Sequence, residues 1–224
     1  MSFANDHKMG VTMKSHLKET GRAYGKMSTR TLFEIIKEFT RLEPSKAVIF
    51  HHIVAKVLYV TKIARVNFQL VIAFFCTRVS KSTKEDLGKL RRLLKYIHVT
   101  IDQPKIIGAE DLGILQTWVD ASYAIHPGMR SHTGAVISLE HRVINSKSSK
   151  QKINTKSSTE AELVGASDYI SHTLLTSWFL KGQGYMVNTN LFYQDNQSAI
   201  LLEKNGRNSC GDRSRHINIR YFFY

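Results

Sequence analysis

Lys156-Ser157-Ser158-Thr159-Glu160-Ala161-Glu162-Leu163 opens a long helical pattern. It lies between two short apolar runs that each end in an aspartate, Thr117-Trp118-Val119-Asp120 and Leu191-Phe192-Tyr193-Gln194-Asp195. Such runs predict buried strands. Three acidic points therefore fall on two strand ends and one helix start. Carboxylates held on separate rigid elements are what a divalent-metal site requires, because hard oxygen ligands must be kept together against their mutual repulsion.

Only one of the two glutamates can join such a site. Glu160 and Glu162 are two positions apart, so on a helix their side chains diverge by about 200°. The apolar stripe Leu163, Ala166, Ile170, Leu174 and Trp178 is flanked about equally by both. With Ser157 as N-cap, Glu160 falls at the third helical position, which is the capping-box place and explains it without chemistry.

Outward from this stretch the pattern predicts a turn-rich loop around Pro127-Gly128, a strand from Gly134 to Leu139 and a short strand near Val143 to Ser146. After the basic segment Lys147 to Lys156 come a helix from Ser158 to about Lys181, a Gly182-Gln183-Gly184 stop, a strand from Asn190 to Asp195 and a helix from Gln197 to about Glu203. Asn196 and Ser198 read as the start of that last helix. The order predicts a mixed α/β sheet over residues 111–224.

Pro104 and Gly108-Ala109-Glu110-Asp111 mark a boundary. Before it, residues 46–110 carry helical periodicity: Ile53, Val54, Val57 and Leu58, then Phe68, Val71, Ile72 and Phe75. Ser82-Thr83-Lys84-Glu85 has capping-box spacing ahead of Leu87, Leu90, Leu94 and Ile97, with Lys89, Arg91, Arg92 and Lys95 on other faces. Residues 1–45 are weakly patterned, with a strand remnant at Val11-Thr12-Met13-Lys14. Leu32, Ile35, Ile36 and Phe39 have helical spacing that Pro44 would stop.

The 224 residues carry 32 Lys and Arg against 18 Asp and Glu, a formal net charge of +14 that suits a polyanionic partner through counterion release. Cys76 and Cys210 fit neither a disulfide framework nor a zinc site, so a reducing intracellular setting is expected. No secretory h-region opens the chain. The longest apolar run, Leu70 to Cys76, is far short of the ~20 residues needed to cross a bilayer, so no membrane role is expected.

Six segments carry a resemblance. They are Trp118 to Tyr123 (Trp-Val-Asp-Ala-Ser-Tyr), Arg130 to Gly134 (Arg-Ser-His-Thr-Gly), Ser146 to Gln151 (Ser-Lys-Ser-Ser-Lys-Gln), Ser157 to Leu163, Tyr193 to Ala199 (Tyr-Gln-Asp-Asn-Gln-Ser-Ala) and Arg215 to Tyr221 (Arg-His-Ile-Asn-Ile-Arg-Tyr). In this order, over about half the chain, they resemble the ribonuclease H domain of copia-type retrotransposon polyproteins. Val54 to Val60 and Leu90 to Ile97 resemble the connecting segment that follows the polymerase in the same polyproteins. No Tyr-x-Asp-Asp occurs, so no polymerase active site is expected.

The resemblance implies a ribonuclease H-like mixed sheet with flanking helices, preceded by a small helical connection region and incomplete at its C-terminus. The strands at Asp120 and Asp195 would lie side by side and parallel. Aligning Ala161-Glu162-Leu163 with the family's Ala-Glu-Leu picks Glu162 over Glu160. Asp120, Glu162 and Asp195 would then be the catalytic residues and hold two Mg²⁺ (or Mn²⁺) ions that cleave the RNA strand of an RNA/DNA hybrid. Arg130, Lys147, Lys150, Lys152 and Lys156 would contact phosphates, and the rest of the polyprotein would be a partner.

Two departures lower the expected activity. The family's fourth acid, in an Ala-Asp motif, lies beyond the last matched segment and is not reached by Tyr224, and the usual His-Ile-Asp reads His216-Ile217-Asn218. The competing expectations are a basic nucleic-acid-binding remnant without turnover and a related nuclease that cuts DNA.

Overall fold

The structure, a computed structural model, describes residues 2–3, 9–11, 40–109, 112–140 and 142–206. The chain forms two compact units, Met1–Gly108 and Ala109–Tyr224. The expected helix around Leu32 to Phe39, Thr12 to Lys14 of the strand remnant, and the Arg215 to Tyr221 motif lie outside the described residues.

In the first unit, strands β1 (Ser2–Phe3), β2 (Met9–Val11) and β3 (Lys105–Ile107) pair antiparallel in that order. Three helices, α1 (Pro44–Ile63), α2 (Gln69–Arg78) and α3 (Lys84–Val99), bury Phe50, Val54, Val57, Phe68, Ile72, Phe75, Leu90, Leu94 and Ile97 in one core. Pro44 opens α1 at its first turn, where a missing N–H costs nothing. The cap of α3 sits one residue later than its sequence suggested. Thr83 is the N-cap and Asp86 the reciprocal partner, because the Asp86 carboxylate accepts the Thr83 N–H and also meets Arg78. Lys89, expected on a polar face, is buried against Glu85 at 3.4 Å. Cys76 is half-buried on the same core, and burial pushes its thiol up.

The second unit is α/β. Strands β4 (Ile114–His126), β5 (Arg130–Leu139), β6 (Arg142–Lys150) and β7 (Thr189–Tyr193) form a sheet of order β6-β5-β4-β7, in which only the β4/β7 pair is parallel. Helices α4 (Ser158–Gly182) and α5 (Gln197–Asn205) complete the described part. A parallel pair needs a crossover, and α4 supplies it.

Three expectations change here. The strand expected to end at Asp120 runs on to His126, through a register shift between Ser122 and His126, and β5 begins at Arg130. β6 extends to Lys150, so the first part of the basic segment is ladder, not loop. The buried stripe of α4 is not Leu163, Ala166, Ile170, Leu174 and Trp178: the last three are 49%, 39% and 63% exposed. Glu160 to Ala166 are all buried, followed by Tyr169, Thr173 and Ser177. The helix lies a step further round because small and polar groups hold it. A Cβ on Gly165 would stand 3.1 Å from Thr133 Cγ2 and 3.3 Å from Val119 Cγ1, so a larger residue here would make those side chains give by a few tenths of an ångström. Thr173 shares a hydrogen bond with Thr117, and Tyr169 donates to Asn145 Oδ1.

Candidate metal centre

The geometry begins with a register. Trp118 and Tyr193 are the last paired residues of β4 and β7, and their rings stack at 5.0 Å. Asp120 and Asp195 each lie two residues beyond that pair. β7 has ended by then while β4 continues, so the edge of β4 is left open. Into this notch α4 places Glu162 from its buried N-terminal part, and the Ala121 N–H on the open edge donates to Glu162 Oε1 at 3.0 Å.

One carboxylate oxygen each from Asp120, Glu162 and Asp195 lies within 4.8 Å of the others. The two aspartates are exposed and Glu162 is 4% exposed. Glu162 Oε2 is buried and has no hydrogen-bond partner. Burial pushes the Glu162 carboxyl up to about 7, and the charges of Asp120 and Asp195 add to the rise. The Ala121 N–H pulls the other way. So does the adjacent Gln194 amide, although its Nε2 makes no hydrogen bond of good geometry. The result is a site that is poor in positive charge and open on its aspartate side.

Glu160 points elsewhere. Ser157 is the N-cap, its Oγ accepting the Glu160 N–H, and the Glu160 carboxylate reaches one residue further back than a capping box requires, accepting the Lys156 N–H at 2.6 Å. Asn196 caps α5 through the Ala199 N–H.

Arg130, Lys147, Lys150, Lys152 and Lys156 are all exposed. They do not form one patch. Lys147 and Lys150 are three residues apart on an unbroken stretch of β6, so they fall on opposite faces of the sheet. Lys150 lies near enough to His126 for its charge to oppose protonation there.

Two elements of the site carried no chemical signal in the sequence. The Ala121 N–H is a backbone group, visible only once β7 is known to stop short. Gln194 precedes an aspartate and has no motif of its own.

No protein-family model and no solved structure matches the chain. Among curated proteins it is 30% identical over 139 residues to the Retrovirus-related Pol polyprotein from transposon TNT 1-94 of Nicotiana tabacum. The match covers 62% of this chain and 10% of that polyprotein, so the chain spans about a tenth of the relative's length. This similarity supports a general retroelement Pol origin for the chain.

Proposed function

We propose that the second unit is a ribonuclease H-type nuclease of a copia-type retroelement reverse transcriptase, acting on the RNA strand of an RNA/DNA hybrid with Mg²⁺ or Mn²⁺ held by Asp120, Glu162 and Asp195. The convergence of three carboxylates within 4.8 Å carries the reading. Three acids that close destabilise one another unless a cation or a proton relieves them. Glu162 Oε2, buried and without a hydrogen bond, fits a place for a ligand within the same cluster. A mixed four-stranded sheet with parallel β4 and β7 is compatible with a ribonuclease H-like fold.

Hard oxygen donors suit Mg²⁺ and Mn²⁺, which when bound supply an activated water and stabilise the leaving oxygen. The chain's own groups do the positioning. Ala121 fixes one oxygen of Glu162, while the exposed Asp120 and Asp195 leave a side open to a phosphodiester. A hybrid would be selected by groove shape and 2′-hydroxyls rather than by sequence. Arg130, Lys150, Lys152 and Lys156 could serve its phosphates, with Lys147 on the other face of β6. The remainder of the polyprotein is the natural partner.

The test is to incubate the chain with a hybrid labelled on its RNA strand, in Mg²⁺ and in Mn²⁺. Cleavage that Glu162→Gln abolishes and Glu160→Gln spares is expected. Salt-sensitive binding without cleavage would replace this reading with the basic binding remnant. Cleavage of a DNA duplex in preference to the hybrid would make the protein a different nuclease.

A further inference from the structure

Gln151, one residue beyond β6, is 2% exposed. Its N–H donates to the Ser131 carbonyl, and its side-chain Nε2 donates twice, to Thr133 Oγ1 at 2.9 Å and to the Ala161 carbonyl at 2.8 Å. One amide thus ties β5 to the first turn of α4. The two acceptors are not arbitrary. Thr133 is the cross-strand partner of Ala121, the residue whose N–H holds Glu162, and Ala161 is bonded directly to Glu162. The amide therefore joins the neighbours of both ends of the Glu162–Ala121 hydrogen bond. Gly165 of the helix packs against the same threonine, close enough that an added Cβ would stand 3.1 Å from its Cγ2.

Packing alone does not account for this group. Gln151 Oε1 is buried and without a hydrogen-bond partner, and leaving a polar atom so placed is unfavourable. An apolar side chain of similar length would fill the space without that penalty. What it would lack is the pair of donors that fixes the height and rotation of the α4 start, where a ligand set must be held to within about 0.5 Å.

We propose that Gln151 is a positioning residue, whose amide locks the first turn of α4 onto Thr133 so that Glu162 reaches the Ala121 N–H and meets Asp120 and Asp195 around a divalent cation. This rests on the cation site proposed above. The test is Mn²⁺ titration of the full chain, following free Mn²⁺ by electron paramagnetic resonance, alongside the Tm of the metal-free protein. Gln151→Met, which keeps length and removes both donors, should weaken Mn²⁺ binding about 10- to 100-fold, the range for partners that orient metal ligands. A lower metal-free Tm with unchanged Mn²⁺ affinity would reduce Gln151 to a structural residue and overturn the inference. If Gln151→Met does not fold, Thr133→Val removes one of the two acceptors at constant shape, and unchanged affinity there overturns it equally. Failure of the cation site itself looks different: the unmodified chain would bind no Mn²⁺, or Glu162→Gln would bind it as well, and the inference would fall with the site.

Discussion

Asp86 in the helical unit and Glu162 in the sheet unit are both acids near the start of a helix, 3% and 4% exposed. Asp86 has Arg78 at 3.3 Å and the N–H and hydroxyl of Thr83. Elsewhere in the same unit Glu85, whose Oε1 makes no hydrogen bond, still has the Lys89 ammonium at 3.4 Å, and Arg65 gives its guanidinium to Thr100 and Asn67. Glu162 has one backbone N–H and two further acids. The first arrangement is compensated by a cation of the chain itself, whereas the second has no such partner among its contacts and, on the function proposed above, takes one from outside. Burial by itself therefore says little about function, and the identity of the compensating groups says much. The contacting pair His126 and His132, 2.9 Å apart, is a third case, in which burial is met by staying neutral.

The comparison breaks first at Asp86. Asp86→Ala strands Arg78 and removes the α3 cap, and should cost about 3–5 kcal/mol in urea unfolding, the range for breaking a buried ion pair. A loss under about 1 kcal/mol would mean that the helical unit does not depend on its compensation.

Acid should expose the histidine pair. Burial, with the adjacent His126, holds His132 at about 4, below its usual 6.5. The unfolded chain then takes up a proton that the folded chain refuses. Stability from this group is whole above pH 6.5 and is lost as pH falls through 4, a loss of about 2–3 kcal/mol. His132→Gln should flatten that limb of the Tm-against-pH curve; an identical limb in the variant would assign the loss to other groups.

Glu162 has the opposite sign. Its carboxyl sits at about 7 when folded, against 4.5 ordinarily. Its contribution is therefore whole below pH 4.5 and lost as pH rises through 7. In EDTA at pH 8, Glu162→Gln should stabilise the protein by about 2 kcal/mol, and at pH 4.5 by nothing. Saturating Mg²⁺ should reverse the order at pH 8, since a ligand that binds only the folded state stabilises it by mass action. A variant less stable than the parent in EDTA would show the carboxylate to be compensated already.

The smallest effect should come from Glu160→Gln, which weakens a helix start and should cost about 0.5–1 kcal/mol. The Mg²⁺-induced rise in Tm should be the same as in the parent. If it disappears, Glu160 belongs to the cation site.

The elements themselves were legible because their signals are local: the Pro127-Gly128 turn before β5, the Ser157 cap and the Gly182-Gln183-Gly184 stop. What was not legible depends on partners distant in the chain. The overrun of β4 past Asp120 has no breaker to mark it and is set by pairing with β5. The buried face of α4 was misread because Gly165, Thr173 and Ser177 carry little hydrophobic signal, yet all three are buried, Gly165 and Thr173 against the sheet. Both glutamates are buried, so packing does not choose between them either; what separates them is where each carboxylate goes, Glu160 back to the Lys156 N–H and Glu162 to the Ala121 N–H beside the two aspartates. Gln151 stood inside a quoted motif without a role, because its acceptors come from two elements that only the fold brings together.

The notch beside β7 also has a consequence in time. Ala121 and Glu162 are 41 residues apart and Gln116 and Tyr193 are 77 apart, and non-local parallel pairings of this kind are slow to form. We expect the three acids to meet late, after most of the sheet unit has condensed, so that their repulsion is felt mainly on the native side of the folding barrier. A cation that relieves it should leave the refolding rate nearly unchanged and slow unfolding instead. Mg²⁺ would then govern how long the folded chain persists rather than how quickly it is made.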